Sequence, residues 1–193
     1  MGAKSESKKA YILEVARSVF AERGFKAVTM KDIVEACGIS RGGLYLYYGS
    51  TRELFLEVIR KEVERNDSSM EKDLKDIVKA SDIMMVYIKS RKKEILDKEN
   101  SLAMAMYEFY AENPGSKKHI LRNRFETGAK LLEKLIEMGV KEGEFRCESP
   151  ELEARNMMYA LEGMEIMNCT GSLPKNAFDR EMVYLLSRII VEV

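Results

Sequence analysis

The sequence has little proline, histidine or cysteine, and each shortage excludes a class of structure or chemistry. Three prolines occur among 193 residues, and because proline breaks helix interiors, so few of them permit helices almost throughout. Cys37, Cys147 and Cys169 are odd in number and lack metal-ligand spacing, so we expect reduced thiols in the cytoplasm. The one histidine, His119, has no second histidine or cysteine nearby, which argues against a zinc site and a Ser-His triad. We expect neither a cofactor nor a metal.

Long hydrophobic runs are missing as well. No apolar stretch approaches the roughly 20 residues that cross a membrane. Residues 1–9 are polar and charged and do not resemble a signal peptide. The composition, with 46% hydrophobic and 33% charged residues, is typical of a globular protein. We therefore expect a cytoplasmic chain without a membrane partner.

The chain has no excess charge of either sign, since Lys+Arg and Asp+Glu both number 32. The distribution is nevertheless uneven. Residues 1–52, called the head below, contain nine basic and five acidic residues, whereas residues 53–193, the body, contain 23 basic and 27 acidic residues. A basic head favours an anionic partner over the short range that salt screening allows.

The head carries several helix-start signals. Thr29 with Asp32 at the third helical position is a variant of the capping box, and Ser40 is the cap of a further helix. Ser50 and Glu53 form a full capping box that opens a longer helix. Short helices therefore follow one another closely through the head.

Two of these short helices, over residues 29–36 and 40–47, are joined by a turn at Gly38 and predict a helix-turn-helix. In that motif the second helix enters the major groove of DNA with its first residues at the bases and phosphates. Ser40 and Arg41 occupy those first positions, where free backbone N–H groups favour phosphate.

Four further residues of this helix allow two interpretations. Gly42 and Gly43 are weak helix formers, and they either let the backbone approach DNA or permit close helix packing. Tyr45 shares a face with Arg41 and Tyr47 ends the helix. Their rings either pack on sugars and thymine methyl groups, with hydroxyls on phosphate, or cover the core of the head.

The head resembles the N-terminal signature of TetR-family transcriptional regulators. The matching segments, in chain order, are residues 20–25 (FAERGF), 29–33 (TMKDI), 36–48 (ACGISRGGLYLYY) and 53–55 (ELF). The resemblance covers about residues 10–58, and a weaker likeness to the family's linker and eighth helix occurs at 143–146, 150–151 and 161–163. It implies an all-helical homodimer that binds a palindromic operator in double-stranded DNA and usually represses. It also implies an inducer that enters the C-terminal bundle and releases the DNA.

By position, the resemblance implies DNA contacts at Thr29, Ser40, Arg41, Gly43, Tyr45 and Tyr47. Gly42, Thr51 and Arg52 complete the predicted DNA-binding set. Thr51 stands where the family usually has a phosphate-contacting lysine, and Arg52 next to it is a candidate to supply that charge. Tyr48 stands where the family usually has phenylalanine.

The predicted architecture is all-α with about nine helices. The helix-turn-helix domain spans residues 1–50 and the ligand-binding and dimerisation domain spans 51–193. We predict a start of the body near residues 66–69 and body helices at about 70–92, 97–112, 117–141, 150–169 and 176–192. The β-branched end at 189–193 also suits a strand, but the apolar spacing before it favours helix.

The body is rich in methionine and aromatic residues, which suit an adaptable apolar pocket and an ordinary bundle core alike. The residues predicted to line an inducer pocket are Met84, Tyr87, Met104, Tyr107, Phe125, Met158 and Glu162. Glu108, Glu162 and Glu165 either select a cation or are solvated carboxylates. The expected inducer is an unidentified small molecule of apolar or amphipathic character.

Apolar stripes on the last two helices predict a four-helix dimer interface, although an intrachain core explains them too. The residues predicted for the interface are Leu152, Leu161, Met164, Leu186, Ile189 and Ile190. Two other functions stay open at this point: a transcriptional activator of the same fold, and an all-helical carrier or enzyme with a vestigial DNA-binding head. The sequence has no phosphate-binding loop and no metal-ligand cluster to support an enzyme.

Overall fold

The computed structural model describes residues 3–73, 79–97, 100–112 and 119–190. Its helices are α1 (Ala3–Arg23), α2 (Met30–Cys37), α3 (Arg41–Tyr45), α4 (Thr51–Asp73), α5 (Ala80–Leu96), α6 (Ala103–Glu112), α7 (Ile120–Lys141), α8 (Pro150–Cys169) and α9 (Ala177–Ser187). Within the described ranges the only β-type pairing is an isolated antiparallel bridge between Phe145 and Ile190. The predicted all-α fold of about nine helices is confirmed.

The helix starts of the head are as predicted. The Asp32 carboxylate accepts the Thr29 N–H at 2.8 Å, and the Thr29 hydroxyl accepts the Asp32 N–H at 3.4 Å. Ser40 Oγ accepts the Gly43 N–H at 3.1 Å and so caps α3. Between α2 and α3, Gly38 adopts a φ of 61°, a left-handed conformation that favours glycine. These local bonds define the helix-turn-helix.

Helix α4 begins where predicted but continues further. Ser50 Oγ accepts the Glu53 N–H at 3.1 Å, and the Glu53 carboxylate accepts the Gly49 N–H at 2.8 Å. The body was predicted to start near residues 66–69 with a new helix from residue 70; the second compact unit does begin at Ser69, but the new helix there is wrong, because α4 runs on to Asp73. Asn, Asp and Ser cost a helix only fractions of a kcal/mol each, and this stretch has no glycine or proline. The single helix predicted over 70–92 is also wrong, since α5 begins at Ala80; residues 74–78 lie outside the described residues.

The chain divides into two compact units. The first unit comprises Met1–Ser68 with Glu99–Ser116, and the second comprises Ser69–Lys98 with Lys117–Val193. Helix α6 therefore belongs to the unit that contains the helix-turn-helix. The functional boundary predicted between residues 50 and 51 does not coincide with this division, and it stays a prediction about function.

The core of the first unit is an aromatic cluster. Phe20 of α1 and Phe25 of the turn that follows it lie with ring centroids 4.7 and 5.0 Å from Phe55 of α4. Phe109 of α6 completes the cluster at 4.9 Å from Phe25, edge to face. Such aromatic pairs add to the stabilisation that burial provides. The cluster holds α1, α4 and α6 together behind the helix-turn-helix.

The core of the second unit lies among α5, α7, α8 and α9 and is mainly aliphatic with several methionines. Helix α9 ends at Ser187 rather than near 192 as predicted. Ile190 instead forms the bridge to Phe145, and the Ile189 carbonyl accepts the Arg146 N–H at 2.7 Å. This pairing satisfies backbone groups that a longer helix would have used itself. The rest of the predicted helix, residues 191–192, lies outside the described residues.

Candidate nucleic-acid interface

Helix α3 exposes one face and anchors the other. Leu44 is fully buried in the first unit, which determines how the short helix sits on its neighbours. Ser40, Arg41 and Gly42 are exposed at its start, and Tyr45 is 42% exposed one turn later. The predicted DNA-facing residues of α3 therefore lie on the solvent side of a fixed helix.

Arg41 and Tyr45 form one surface. The guanidinium carbon of Arg41 lies 5.4 Å from the centroid of the Tyr45 ring, within cation–π range. The contact holds the flexible arginine against the ring while its N–H groups stay exposed. A guanidinium group can donate hydrogen bonds to a phosphate or to a base edge, and the neighbouring ring can pack against a sugar.

The two tyrosines that follow differ in their surroundings. Tyr47 is half-buried and its hydroxyl accepts a hydrogen bond from Ser5 Oγ at 3.5 Å. Tyr48 is 3% exposed, and its hydroxyl has no hydrogen-bond partner among the described residues. Burial, together with the nearby charges of Glu57 and Glu53, raises the pKa of Tyr48 above its usual value. Tyr48 is therefore a core residue of the first unit.

Around α3, the other predicted contacts occupy different positions. Thr29 is exposed at the cap of α2, with its side chain engaged by Asp32. Thr51 is half-buried at the first position of α4. The Arg52 guanidinium lies 5.0 Å from the ring centroid of Phe109, so this side chain packs toward α6. Its role in place of the family's lysine stays a prediction.

Two residues next to this surface were not predicted from the sequence. Leu46 is 83% exposed, the most exposed of the large hydrophobic side chains. Helical periodicity places it about 200° around from Leu44, and that signal could have identified it. Lys8 of α1 lies beside the start of α3, because a Cβ atom built on Gly43 would be 3.8 Å from Lys8 Nζ. No pattern within a short segment indicates that Lys8 lies near Gly43.

The residues predicted to line an inducer pocket fall into two groups. Met84, Tyr87 and Met158 are buried in the second unit, where the Tyr87 hydroxyl lies 3.4 Å from Met158 Sδ, and Phe125 packs against the same core. Glu162 lies in this unit too. Met104 and Tyr107 are half-buried on α6, in the first unit. Their assignment to one pocket stays a prediction.

The carboxylates considered for cation selection are engaged within the chain. Arg124 NH2 lies 2.8 Å from Glu162 and also contacts Glu165, which is only 4% exposed. Arg91 lies 3.8 Å from Glu165 and pairs with Glu94. Burial lowers the pKa of Arg124, but the charges of Glu165 and Glu162 raise it by more. The pKa of Arg124 is therefore above its usual value. Glu108 accepts backbone N–H groups in the first unit.

Two clefts lie away from the predicted pocket residues. One, of about 280 Å³, runs between α1 and α4 of the first unit. The other, of about 430 Å³, lies in the second unit beside residues 146–149 and the start of α8. None of the seven predicted pocket residues lines either cleft.

The residues predicted for a dimer interface also divide. Leu161, Met164, Leu186 and Ile189 are buried by their own chain, while Leu152 and Ile190 are 62% and 43% exposed. These four residues therefore contribute to the core of their own chain, and the dimer interface itself stays a prediction. The exposed apolar residues on the same two helices are Leu152, Tyr159, Ile166 and Met167 of α8 and Val183 and Tyr184 of α9.

The described residues contain no group of three or more His, Cys, Asp or Glu residues placed to hold a metal ion. In the same residues, no helix has the length and apolar character that a membrane span requires.

A helix-turn-helix with an exposed second helix, at the head of an all-helical chain, defines a DNA-binding protein. Comparison with known families agrees. The family described as "Bacterial regulatory proteins, tetR family" matches residues 12–58, and "Tetracyclin repressor-like, C-terminal domain" matches residues 83–170. The chain belongs to the TetR family and is a DNA-binding transcriptional regulator.

Individual relatives match to different extents. The HTH-type transcriptional regulator YfiR of Bacillus subtilis is 29% identical over 153 residues, which are 75% of this chain and 71% of YfiR. The repressor KstR2 of Mycobacterium tuberculosis is 41% identical over 54 residues, 28% of this chain and 27% of KstR2. The repressor AcnR of Corynebacterium glutamicum is 38% identical over 64 residues, 33% of this chain and 34% of AcnR. The sequence matches thus cover about a third or less of these two repressors.

Solved structures share the fold along almost the whole chain. A transcriptional regulator from Saccharomonospora viridis, in complex with choline, superposes with a TM-score of 0.83 at 20% identity, covering 97% of this chain and all of that one. The ketosteroid transcriptional regulator KstR2 of Mycobacterium tuberculosis gives 0.70 at 20% identity, with 95% of each chain covered. At these identities the likeness establishes the common fold.

Proposed function

We propose that this regulator binds a palindromic operator as a homodimer, represses transcription there, and is released when a small molecule binds the second unit. The observation that carries the proposal is the solvent face of α3, where Arg41 and Tyr45 lie together on a helix anchored by Leu44. Such a face suits contacts to phosphates and base edges in the major groove. The repressor names of KstR2 and AcnR support repression rather than activation.

Exposed apolar side chains on α8 and α9 support the homodimer. Leu152, Tyr159 and Ile166 are 62%, 62% and 46% exposed and occur at intervals of seven residues, so they share one face of α8. Val183 and Tyr184 of α9 are 67% and 61% exposed. Apolar groups concentrated in this way are typical of a protein interface. Two such helices from each subunit would form a four-helix interface.

Side chains of the second unit support binding of the small molecule that releases the DNA. Tyr87, Phe125 and Met158 are aromatic or flexible apolar side chains of its core, and Arg124 paired with Glu162 adds charge near them. This mixture favours an amphipathic molecule. The choline complex of the S. viridis regulator, which has the same fold, supports a small organic ligand in this family member.

Selection of bound duplexes from a randomised DNA library tests the DNA-binding part. We expect one palindrome to be enriched, and the double variant Arg41→Ala/Tyr45→Ala to lose that enrichment. Lys31→Ala is the matched control, because Lys31 is a largely exposed residue of α2 and its loss removes the same charge. The proposal would be contradicted if the protein bound DNA without enriching any sequence and if the double variant bound equally well.

Sedimentation velocity tests the dimer. Tyr159→Glu places a charge in the α8 face and should give a monomer that no longer binds the palindrome, whereas Met85→Glu, at a 41% exposed residue of α5, should leave the dimer intact. A dimeric Tyr159→Glu variant would contradict this interface.

Repression predicts that transcripts next to the enriched sequence rise in cells lacking the protein, and activation predicts that they fall. Amphipathic compounds that release the duplex identify the inducer class.

A further inference from the structure

Lys8 of α1 lies next to the recognition helix although it is far from it in sequence. A Cβ atom built on Gly43 would lie 3.8 Å from Lys8 Nζ and 3.1 Å from Ser40 Oγ. The ammonium group therefore sits over the first turn of α3, on the side that carries Ser40. Lys8 is exposed, so its charge is accessible from solvent.

The neighbouring lysine shows that this placement is specific. Lys9 Nζ pairs with Glu57 at 3.2 Å and lies 6.0 Å from the ring centroid of Tyr48, so Lys9 is directed toward α4 of its own unit. One residue along a helix turns the side chain by about 100°, and Lys8 consequently points elsewhere. Among the described residues, Lys8 forms no ion pair. Its charge is available to an outside partner.

The beginning of α1 has a second link to the recognition helix. Ser5, almost one turn before Lys8, donates a hydrogen bond to the Tyr47 hydroxyl at 3.5 Å. The beginning of α1 therefore lies beside α3, with Lys8 near its first turn and Ser5 near Tyr47, two residues past its end.

We propose that Lys8 binds a phosphate of the DNA backbone when α3 enters the major groove, next to the phosphate or base reached by Arg41. This inference rests on the proposed DNA-binding function. The partner is identified by its chemistry, since an exposed ammonium beside a groove-reading helix meets the phosphates that flank the groove. Gly43 leaves room beside the helix cap, because a Cβ there would lie within 3.1 Å of Ser40 Oγ.

The test compares the salt dependence of DNA binding among four proteins: the unmodified chain, Lys8→Ala, Lys8→Arg and Lys26→Ala. Lys26 is the matched control, since it follows the opposite end of α1, a helix of 21 residues that spans roughly 30 Å. Its ammonium lies 3.6 Å from Glu112 of α6. Fluorescence anisotropy measures the association constant for the selected duplex and for a scrambled duplex over a range of salt concentrations.

We expect Lys8→Ala to weaken binding to both duplexes and to reduce the slope of log K against log salt by about 0.9, the value for one lost phosphate contact. The preference for the selected duplex should stay, since a phosphate contact carries no sequence information. Lys8→Arg keeps the charge and should retain the slope. Lys26→Ala should match the unmodified chain.

An unchanged slope in Lys8→Ala would overturn the inference, and so would a lost preference between the duplexes, which indicates a base contact. A slope reduced equally by Lys26→Ala would overturn it as well, because the effect would then reflect overall charge. If the unmodified chain bound neither duplex, the proposed function itself would fail, which is a different result. Circular dichroism before each titration verifies that the variants are folded.

Discussion

The carboxylate of Glu108 accepts the backbone N–H of Phe25 at 2.7 Å. The same oxygen accepts the N–H of Lys26 at 2.9 Å. Helix α6 thereby holds the turn that follows α1. Gly24 makes this possible in two ways: its φ of 77° is left-handed, and a Cβ at this position would lie 2.6 Å from the Glu108 carboxylate. The turn into the helix-turn-helix thus depends on a residue more than 80 positions later in the chain.

Glu108→Ala should destabilise the first unit by about 1–2 kcal/mol, because two backbone N–H groups lose a charged acceptor. Thermal and urea unfolding measure the change. Glu112→Ala on the same helix is the control, since Glu112 is exposed and only pairs with Lys26 at 3.6 Å, a contact of small expected value. Equal losses in the two variants would contradict the role given to Glu108.

Tyr48→Phe should leave the protein at least as stable and raise its midpoint of thermal unfolding. The Tyr48 hydroxyl is buried without a hydrogen-bond partner among the described residues, and an unsatisfied buried group of this kind costs about 1–3 kcal/mol. Phenylalanine keeps the ring and removes that group. Calorimetry measures the shift, and a clear fall in the midpoint would mean that the hydroxyl has a partner.

Acid should destabilise the protein partly through Glu57. Hydrogen bonds from Arg60 lower the pKa of Glu57 from the ordinary value of 4.5 to about 2. Partial burial opposes this shift, and Lys9 contributes to it. A depressed carboxyl pKa stabilises the fold above about 4.5, and the stabilisation is lost as the pH falls toward 2. Glu57→Gln should therefore show a smaller loss of stability across this range. Identical acid unfolding curves for both proteins would refute the assignment.

Arg124→Met should destabilise the second unit by about 3 kcal/mol, because it removes the arginine that pairs with Glu162 and with the buried Glu165, while Arg91 lies 3.8 Å from Glu165. Urea unfolding measures the loss. Arg155→Met on α8 is the control: Arg155 pairs with Glu126 at 2.9 Å, but both side chains are about a third or more exposed, so its loss should be much smaller. Comparable losses would show that burial of Glu165 is not decisive.

Much of the head could be predicted from sequence because its signals are local. The caps by Thr29 and Ser40 and the left-handed turn at Gly38 each involve partners within about four residues. Patterns of that length are visible in a linear sequence. The helix start predicted at residue 70 failed because the polar residues before it are a weak signal when neither glycine nor proline accompanies them.

The body was less predictable, because burial depends on distant partners. The apolar stripes of α8 and α9 show which residues avoid water, but not whether their own chain or a second one covers them. Leu161 and Ile189 are covered by their own chain, while Leu152 and Tyr159 are not. Glu162 likewise gave no sign that Arg124, 38 positions earlier, is its partner.

The class of fold, the family and the recognition helix follow from the sequence, because caps, glycine turns and helical periodicity are properties of short segments. Helix packing in three dimensions determines that Glu108 and Phe109 of α6 complete the unit that contains the helix-turn-helix. It also decided that Lys8 lies beside Gly43 and that the glutamates of α8 face arginines. Those contacts join residues far apart in the chain, and only the packing of whole helices brings them together.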